Sequence, residues 1–395
     1  MLRVENDTPG RVILVVLDGC GVGAMPDAAQ YGDLAADTLK HTLEAARTEL
    51  PWMAALGLGR VKAAPGLPAL EGVRGAYGKL AERSAGKDTA TGHWELMGVV
   101  TQTPFITFPH GFPPSLIQAF VNRVGRGVLG NCTASGTEII QQLGEEHQRT
   151  GKLIVYTSAD SVFQVAAHED TVPLDELYRI CEQAYELVTP HGVARVIARP
   201  FTGTPGHYKR TENRHDYTVP PPSETVMQKL VAAGIPVTGI GKIRDIYAGC
   251  GVSVHVKATN NHDITERTLE QVAGDTEGLI FANLVDFDML YGHRRDPVGF
   301  SKALRAFDEA LPRLMSAMRT DDLLLLTADH GNDPTMPGSD HCREYVPLVA
   351  YSHAFKGGVN LGIRESFADV GETIAHYFGI EGTGIGASFL QELRA

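Results

Sequence analysis

Residues 86–95 read GKDTATGHWE, an acid, two threonines, an imidazole, an indole and a second acid in ten positions that follow neither a helical nor a strand period. A hydroxyl is a weak nucleophile at neutral pH unless a base or a metal ion withdraws its proton, so Thr89 or Thr91 reacts only beside such a group. Two distant stretches could supply one. DFDMLYGH brings Asp288 and His293, and ADHGNDPTMPGSDHCRE brings Asp329, His330 and His341. With Asp18 they make six mixed nitrogen and oxygen donors, a set that suits Mn²⁺ or Zn²⁺ better than Ca²⁺ and is large enough for two ions. Paired ions can stabilise both the attacking and the leaving oxygen of a phosphoryl group, which would make a neighbouring threonine a phosphoryl acceptor. Singly, each acid at a strand end is equally a turn former or helix cap, each histidine a packed residue, and a Thr/Gly turn can spend its hydroxyls on local backbone. Only their joint placement favours metal chemistry.

The elements that must position these groups are short aliphatic runs: RVILVVLDG, LIVYTSAD, ARVIARP, IPVTGIG, GLIFANLVDFD, DLLLLTADHGND and VPLVAYS. Mostly unalternated and β-branched, they predict strands covered on both faces, as in a parallel sheet. Helical periods separate them in ADTLKHTLEAAR, SETVMQKLVAAG, DPVGFSKALRAFDEALPRLMSAM and DVGETIAHYF, with Ser223 and Asp369 expected as N-caps, the latter in a capping box with Glu372. The alternation predicts an α/β fold, a mostly parallel sheet flanked by helices. Three runs end directly in acid: Asp18, then Asp286 and Asp288, then Asp329. Ligands of open α/β sheets sit beyond the carboxyl ends of the strands, so these acids are expected to meet there. Pro-rich borders near TQTPFITFPHGFPPS and HDYTVPPPSET enclose a segment with its own strands and helices. We expect a discontinuous metal-binding catalytic core, residues 1–103 and 221–395, and an inserted α/β substrate-binding cap on two hinges, residues 104–220.

The totals exclude other classes. A net charge of −12 has the wrong sign for gripping a nucleic-acid backbone. Five scattered cysteines without a CxxC pair indicate neither a disulfide framework nor a thiolate zinc site, and fit a reducing cytoplasm. The first apolar run, Val12 to Leu17, is too short for a signal-peptide core or a membrane span, so we expect a soluble cytoplasmic protein without a membrane partner, and a monomer.

Together VVLDGCGVGAMPDA, GKDTATGHWELMG, SADSV, RPFTGTPGHYKRTENRHDY, NLVDFDMLYGHRRDP and LLLLTADHGNDPTMPGSDHCREYVPLVAYS resemble the phosphopentomutases, two-metal enzymes of the alkaline phosphatase superfamily, from about Ile13 to the C-terminal SFLQEL. The resemblance implies an alkaline-phosphatase-like core and an isomerase that moves phosphate between C1 and C5 of ribose or 2-deoxyribose. One ion, usually manganese, would be held by Asp288, His293 and His341; the other by Asp18, Asp329, His330 and the hydroxyl of Thr89. Thr89 matches the family's phosphorylated threonine and Thr91 a neighbour. The implied cycle passes through a sugar 1,5-bisphosphate and needs a sugar bisphosphate to prime it. Ser158, Asp160 and Lys242 match positions near the sugar. Gly19, where many members have Ser, and Ala90, where bulkier residues occur, depart from the pattern.

Independently of that resemblance, Arg195, Arg199, Lys209, Arg210, Arg214 and His215 concentrate positive charge in the insert of an acidic protein, where planar guanidinium groups suit the distal phosphate of a sugar phosphate. Several could instead pair with nearby acids on a solvated face. Asp216 is expected as an ion-pair partner, Asp296 as a helix cap, and Trp94 and Glu95 as supports of the Thr89 loop. Rival readings are a cofactor-independent phosphoglycerate mutase, a metal-dependent phosphatase in which water resolves the phosphoenzyme, and a metal-stabilised phosphosugar-binding protein. The modest cap and GKDTATGHWE count against the first.

Overall fold

The computed structural model describes residues 10–158 and 161–395; Asp160 lies outside them. Its strands are, in chain order, β1 Val12–Leu17, β2 Ala76–Leu80, β3 Val128–Thr133, β4 Leu153–Thr157, β5 Val162–His168, β6 Arg195–Thr202, β7 Lys209–Arg210, β8 His215–Thr218, β9 Val237–Ile240, β10 Val254–Val256, β11 Leu279–Leu284, β12 Leu323–Thr327, β13 Val346–Tyr351 and β14 Asn360–Arg364. They belong to two compact units, one running to Thr103 and resuming at Pro220, the other spanning Pro104–Val219.

The first unit is built on an eight-stranded sheet in the order β10-β9-β11-β1-β12-β13-β2-β14. β1 lies parallel between β11 and β12, with Leu17 opposite Leu284 and Val16 opposite Thr327. All residues of β1, β11 and β12 are buried, the pattern of strands covered on both faces. β13 is equally buried yet runs antiparallel to both its neighbours, because double-sided burial constrains side-chain polarity and leaves strand direction open. Helices cover the sheet in two packed groups: Thr38–Ala46, Pro51–Leu56 and Asn261–Ala273 gather around the long helix Pro297–Ala317, while Ala368–Tyr377 packs on Thr89–Leu96 and Val226–Ala232.

Two expected caps are displaced. The helix after the proline border starts at Val226, capped by Thr225 in a reciprocal capping box with Gln228, so Ser223 stays outside it. Asp369 lies within the first turn of Ala368–Tyr377, and its carboxylate accepts from the Ala387 amide at 2.8 Å and the Arg364 Nε at 2.7 Å. A tertiary ion pair outcompetes the local cap there. Asp296 does cap Pro297–Ala317, accepting from the Gly299 amide at 2.8 Å.

The second unit has a six-stranded sheet, β3-β4-β5-β6-β7, with β8 also on β6. One face, with Val155, Phe163 and Val196, packs on apolar residues of Pro114–Val124 and Leu174–Val188. The other, with Ile154, Tyr156 and Phe201, packs on Ile139 and Ile140 of Gly136–Thr150. That alternation is the two-residue period of a strand with a core on each side.

Candidate active site

Because β11, β1 and β12 are adjacent, parallel and in register, their next residues converge on one sheet edge: Asp18 after β1, the turn carrying Asp286 and Asp288 after β11, and Asp329 with His330 after β12. The two β11 acids part company in a π-helical turn, Phe287–Gly292, of the kind often found at functional sites. Asp286 exchanges hydrogen bonds with Asn261, its Oδ2 accepting from the Asn261 amide and its own amide donating to Asn261 Oδ1, each at 2.8 Å. Asp288 instead faces the histidines. Its Oδ2 is 3.1 Å from His293 Nε2 and its Oδ1 3.3 Å from His341 Nε2.

Five of the six expected ligands form two overlapping groups, Asp288 with His293 and His341, and Asp18 with Asp288 and His330, so Asp288 reaches both. Asp329 stands beside the second, its Oδ2 3.3 Å from His330 Nε2, while Asp18 Oδ1 is 3.4 Å from the same nitrogen. Asp18 Oδ1 is buried without a hydrogen-bond donor, and Asp329 Oδ2 is buried with His93 Nδ1 3.0 Å away. The imidazoles are turned to offer lone pairs: His330 Nδ1 donates to the Gly331 carbonyl at 3.1 Å and His293 Nδ1 to the Ser339 carbonyl at 2.6 Å, leaving each Nε2 for the cluster. A buried orphan oxygen on Asp18 and inward lone pairs fit a divalent cation, which also matches the donor chemistry.

The electrostatics agree. Burial, then Asp329 and Asp288, push the Asp18 carboxyl well above its ordinary range against a lowering pull from Lys242. Burial also raises Asp288 and Asp329, but the histidines outweigh it and hold both below the usual range. Burial depresses the His330 pKa, opposed by Asp329. Three acids crowded out of water need positive charge.

Thr89 is the first residue of the helix Thr89–Leu96, and Asp88 caps it. The Asp88 carboxylate accepts from the Thr91 amide at 3.1 Å and the Thr91 hydroxyl at 2.6 Å, which commits Thr91 to the cap. Thr89 points elsewhere, its Oγ1 3.1 Å from His330 Nε2. The helix sits directly against the β12 loop, since a Cβ at Gly92 would fall 2.0 Å from the Asp329 carbonyl oxygen. Glu95 ties it further, accepting from the Arg83 and Ser84 amides and from Ser366 and Phe367, and Trp94 Nε1 donates to the Ile246 carbonyl at 3.1 Å.

Three supporting residues went unremarked in the sequence. Buried His93 places Nδ1 2.9 Å from the Thr89 carbonyl and 3.0 Å from Asp329 Oδ2, linking helix and metal loop. Asn283 Nδ2 donates to Asp18 Oδ2 at 2.9 Å, and Asn332 Nδ2 to Asp288 Oδ1 at 2.6 Å. Their only signal was membership of the stretches already marked, GHWE, NLVDFD and ADHGND.

The sugar-side residues divide between the units. Lys242 follows β9 in the first unit, its Nζ 3.9 Å from Met289 Sδ. In the second unit Ser158 follows β4, Arg195 and Arg199 share a face of β6, Lys209 and Arg210 make β7, and Arg214 and His215 begin the return through β8. Asp216 pairs with Arg214 at 2.6 Å and Arg195 at 3.4 Å; burial raises its pKa, but the guanidinium groups hold it below the ordinary value. Arg210 Nη2 donates to the Tyr156 hydroxyl at 3.2 Å and Arg199 Nε to Gln164 at 3.1 Å. Burial first, then nearby Arg214 and Arg210, lower Arg199 to about 10.

With this geometry, relatives decide the family. The model of the Metalloenzyme superfamily matches residues 10–382. A phosphopentomutase of Carboxydothermus hydrogenoformans is 54% identical over 386 residues, covering 97% of this chain and 99% of the relative. One from Anaeromyxobacter dehalogenans is 54% identical over 385 residues, with 97% and 99% coverage. The chain belongs to the phosphopentomutase family. It is accordingly an enzyme, an isomerase that transfers phosphate on small pentose phosphates, within a superfamily of metalloenzymes. A phosphoglycerate mutase of Leishmania mexicana, solved at low cobalt concentration, is 14% identical with a TM-score of 0.50 over 97% of this chain and 98% of its own, a likeness of fold alone. The architecture shared with it is an α/β core with a large central sheet. No helix among the described residues is long and apolar enough to cross a membrane.

Proposed function

We propose that the chain interconverts ribose 1-phosphate and ribose 5-phosphate, and their 2-deoxy analogues, through phospho-Thr89. The observation that carries this reading is the Thr89 hydroxyl, 3.1 Å from His330 Nε2 at the mouth of the carboxylate–imidazole cluster, while Thr91 is consumed by the cap. Asp288, His293 and His341 would hold one divalent ion and Asp18, Asp329 and His330 the other, with Asp288 near enough to serve both. When bound, two such ions, manganese in our reading, supply charge stabilisation for an in-line phosphoryl transfer.

The chain's own residues do the rest. Thr89 stands at a helix N-terminus, where backbone N–H groups and the helix dipole favour the dianion a phosphate would add. In the first half-reaction the bond from Thr89 Oγ1 to phosphorus breaks and one from the free sugar hydroxyl forms; that hydroxyl loses a proton and Thr89 Oγ1 gains one. The resulting 1,5-bisphosphate presents its other phosphate, and the reverse exchange restores phospho-Thr89 with no water consumed. A sugar bisphosphate is needed only to load Thr89 initially. We assign Lys242 and, in the insert, Ser158, Asp160, Arg195, Arg210, Arg214 and His215 to the sugar and the phosphate not in transit. The five free thiols suit a reducing, cytoplasmic setting.

The test is to prime manganese-loaded protein with a pentose bisphosphate, supply ribose 5-phosphate and follow ribose 1-phosphate, free phosphate and the mass of the Thr89 peptide. Ribose 1-phosphate with phosphorylated Thr89 is expected; stoichiometric free phosphate in its place overturns the mutase assignment. Thr89→Ala should abolish turnover with metal content near normal. Thr91→Ala should still be phosphorylated at Thr89 and lose only about 1 kcal/mol of stability with its cap contact.

A further inference from the structure

The geometry points to Arg343 as a positioning residue that holds the phosphoacceptor loop against the metal loop, an assignment that rests on Thr89 being the acceptor. Arg343 stands two residues after His341 and is 3% exposed. Its neighbour Cys342 is bridged to Gly331, amide to carbonyl in both directions at 2.7 and 3.1 Å, which anchors the segment to the residue after His330. From that base the guanidinium crosses to the segment that delivers Thr89. Nη1 donates to Glu82 Oε2 at 2.7 Å, the Ser84 carbonyl at 2.8 Å and the Gly86 carbonyl at 3.0 Å; Nη2 donates to the Glu82 carbonyl at 3.0 Å, and Nε to Asp27 Oδ2 at 3.1 Å.

Three successive carbonyl contacts on alternate residues define where the chain enters the turn at Gly86. That turn has no slack: a Cβ at Gly86 would lie 2.7 Å from the Thr91 hydroxyl and 2.8 Å from Asp88 Oδ2, the two groups of the helix cap. A shift of Gly86 therefore passes into the cap and so into Thr89. One carboxylate closes the arrangement from the other side, since Asp33 Oδ2 accepts both the Arg343 amide at 2.8 Å and Lys87 Nζ at 3.0 Å. Lysine cannot replace this hub, because an ammonium is a single point with three donors while the contacts fan out in the plane of a guanidinium with five. Arg343 touches neither the reacting oxygen nor an expected metal ligand in these contacts; it sets distance and direction between the two, the kind of alignment in which an error of about 1 Å can cost on the order of 100-fold in rate.

The experiment compares wild type, R343K and R343A, each loaded with manganese and primed with a pentose bisphosphate. The readouts are metal content, thermal unfolding, phosphate on Thr89, and kcat and KM for ribose 5-phosphate. R343K should keep both metal equivalents and a cooperative unfolding transition, lose about 100-fold in kcat with KM within about threefold, and load Thr89 slowly. Added guanidinium ion should restore part of the R343A rate, as filling the vacated hub would. R343K at the wild-type kcat overturns the inference, as does a loss that tracks metal depletion or unfolding and resists guanidinium. If R343A does not fold, R343K alone decides. A wild type that turns over with no phosphate on Thr89 would instead sink the acceptor assignment, an outcome visible before any variant is made.

Discussion

Asn283 and Asn332 carry no charge and bind no metal in our reading, yet each aims an amide N–H at one carboxylate oxygen, Asp18 Oδ2 and Asp288 Oδ1. That leaves Asp18 Oδ1 as the orphan pointing at the cluster. Asn332 is itself held, its amide donating to the Gly19 carbonyl at 2.7 Å and to the Thr38 hydroxyl at 3.1 Å. Outer partners of this sort orient ligands and commonly govern 10- to 100-fold in metal affinity. Asn332→Ala should weaken metal binding by roughly that factor while leaving the fold intact, read by titration of the metal-free protein. Affinity unchanged within twofold would show that Asp288 orients itself. Neither asparagine was legible as a site residue, because an Asn inside NLVDFD or ADHGND has no chemistry of its own to announce; its role exists only once Asp18 or Asp288 is within 3 Å.

Among the elements, the helix Pro297–Ala317 links the sheet cover to the segment before β2. Its buried Asp308 accepts from the Met53 amide at 2.6 Å and the Trp52 amide at 3.3 Å, capping Pro51–Leu56 from a distance of more than two hundred residues in sequence. Burial raises its pKa from 3.8 to about 6 against the lowering pull of those amides. A carboxyl with a raised folded-state pKa contributes stability that is full below the unfolded value and lost as pH rises through the folded one. Wild-type stability should therefore fall relative to Asp308→Asn between about pH 4 and pH 7, checked by urea midpoints at both ends; parallel curves would refute it. A second element-level device sits at the opposite end of the strands from the site. Arg11, before β1, and Asp322, before β12, are both 0% exposed and joined through Nη2 to Oδ2 at 2.5 Å, with Nε 3.1 Å from each carboxylate oxygen. Removing one charge of a buried pair strands the other. Asp322→Asn should cost about 3–5 kcal/mol in denaturant unfolding with kcat little changed, and a rate loss beyond tenfold would mean that the pair governs the site as well.

For the molecule as a whole, the −12 net charge and the buried acids at the sheet edge act in the same direction. Asp18, Asp288 and Asp329 repel one another where water cannot screen them. A cation that binds only the folded chain stabilises it by mass action, about 2.7 kcal/mol at one hundred times its dissociation constant. Chelation should lower the unfolding temperature by several degrees, and manganese should restore it in a concentration-dependent way. An unfolding temperature indifferent to chelator would argue that the cluster holds no ion in the folded protein.

How much of this was written in the sequence differs by feature. Aliphatic runs ending in Asp18, Asp288 and Asp329 determined which strands were buried and that acids would follow them, since a strand covered on both faces has to be apolar along its length and polar where it leaves the sheet. The cluster of basic residues from Arg195 to His215 was equally plain. What only tertiary structure decided was adjacency and aim: that β1 lies between β11 and β12, that β13 runs backwards, that Asp286 turns to Asn261 while Asp288 turns to the histidines, and that Thr91 is spent on Asp88 and Thr89 is not. Local composition sets what a segment can bury. Strand order, rotamer choice and tertiary hydrogen bonds depend on neighbours that folding brings together, some of them, as His330 beside Thr89, hundreds of residues away in sequence.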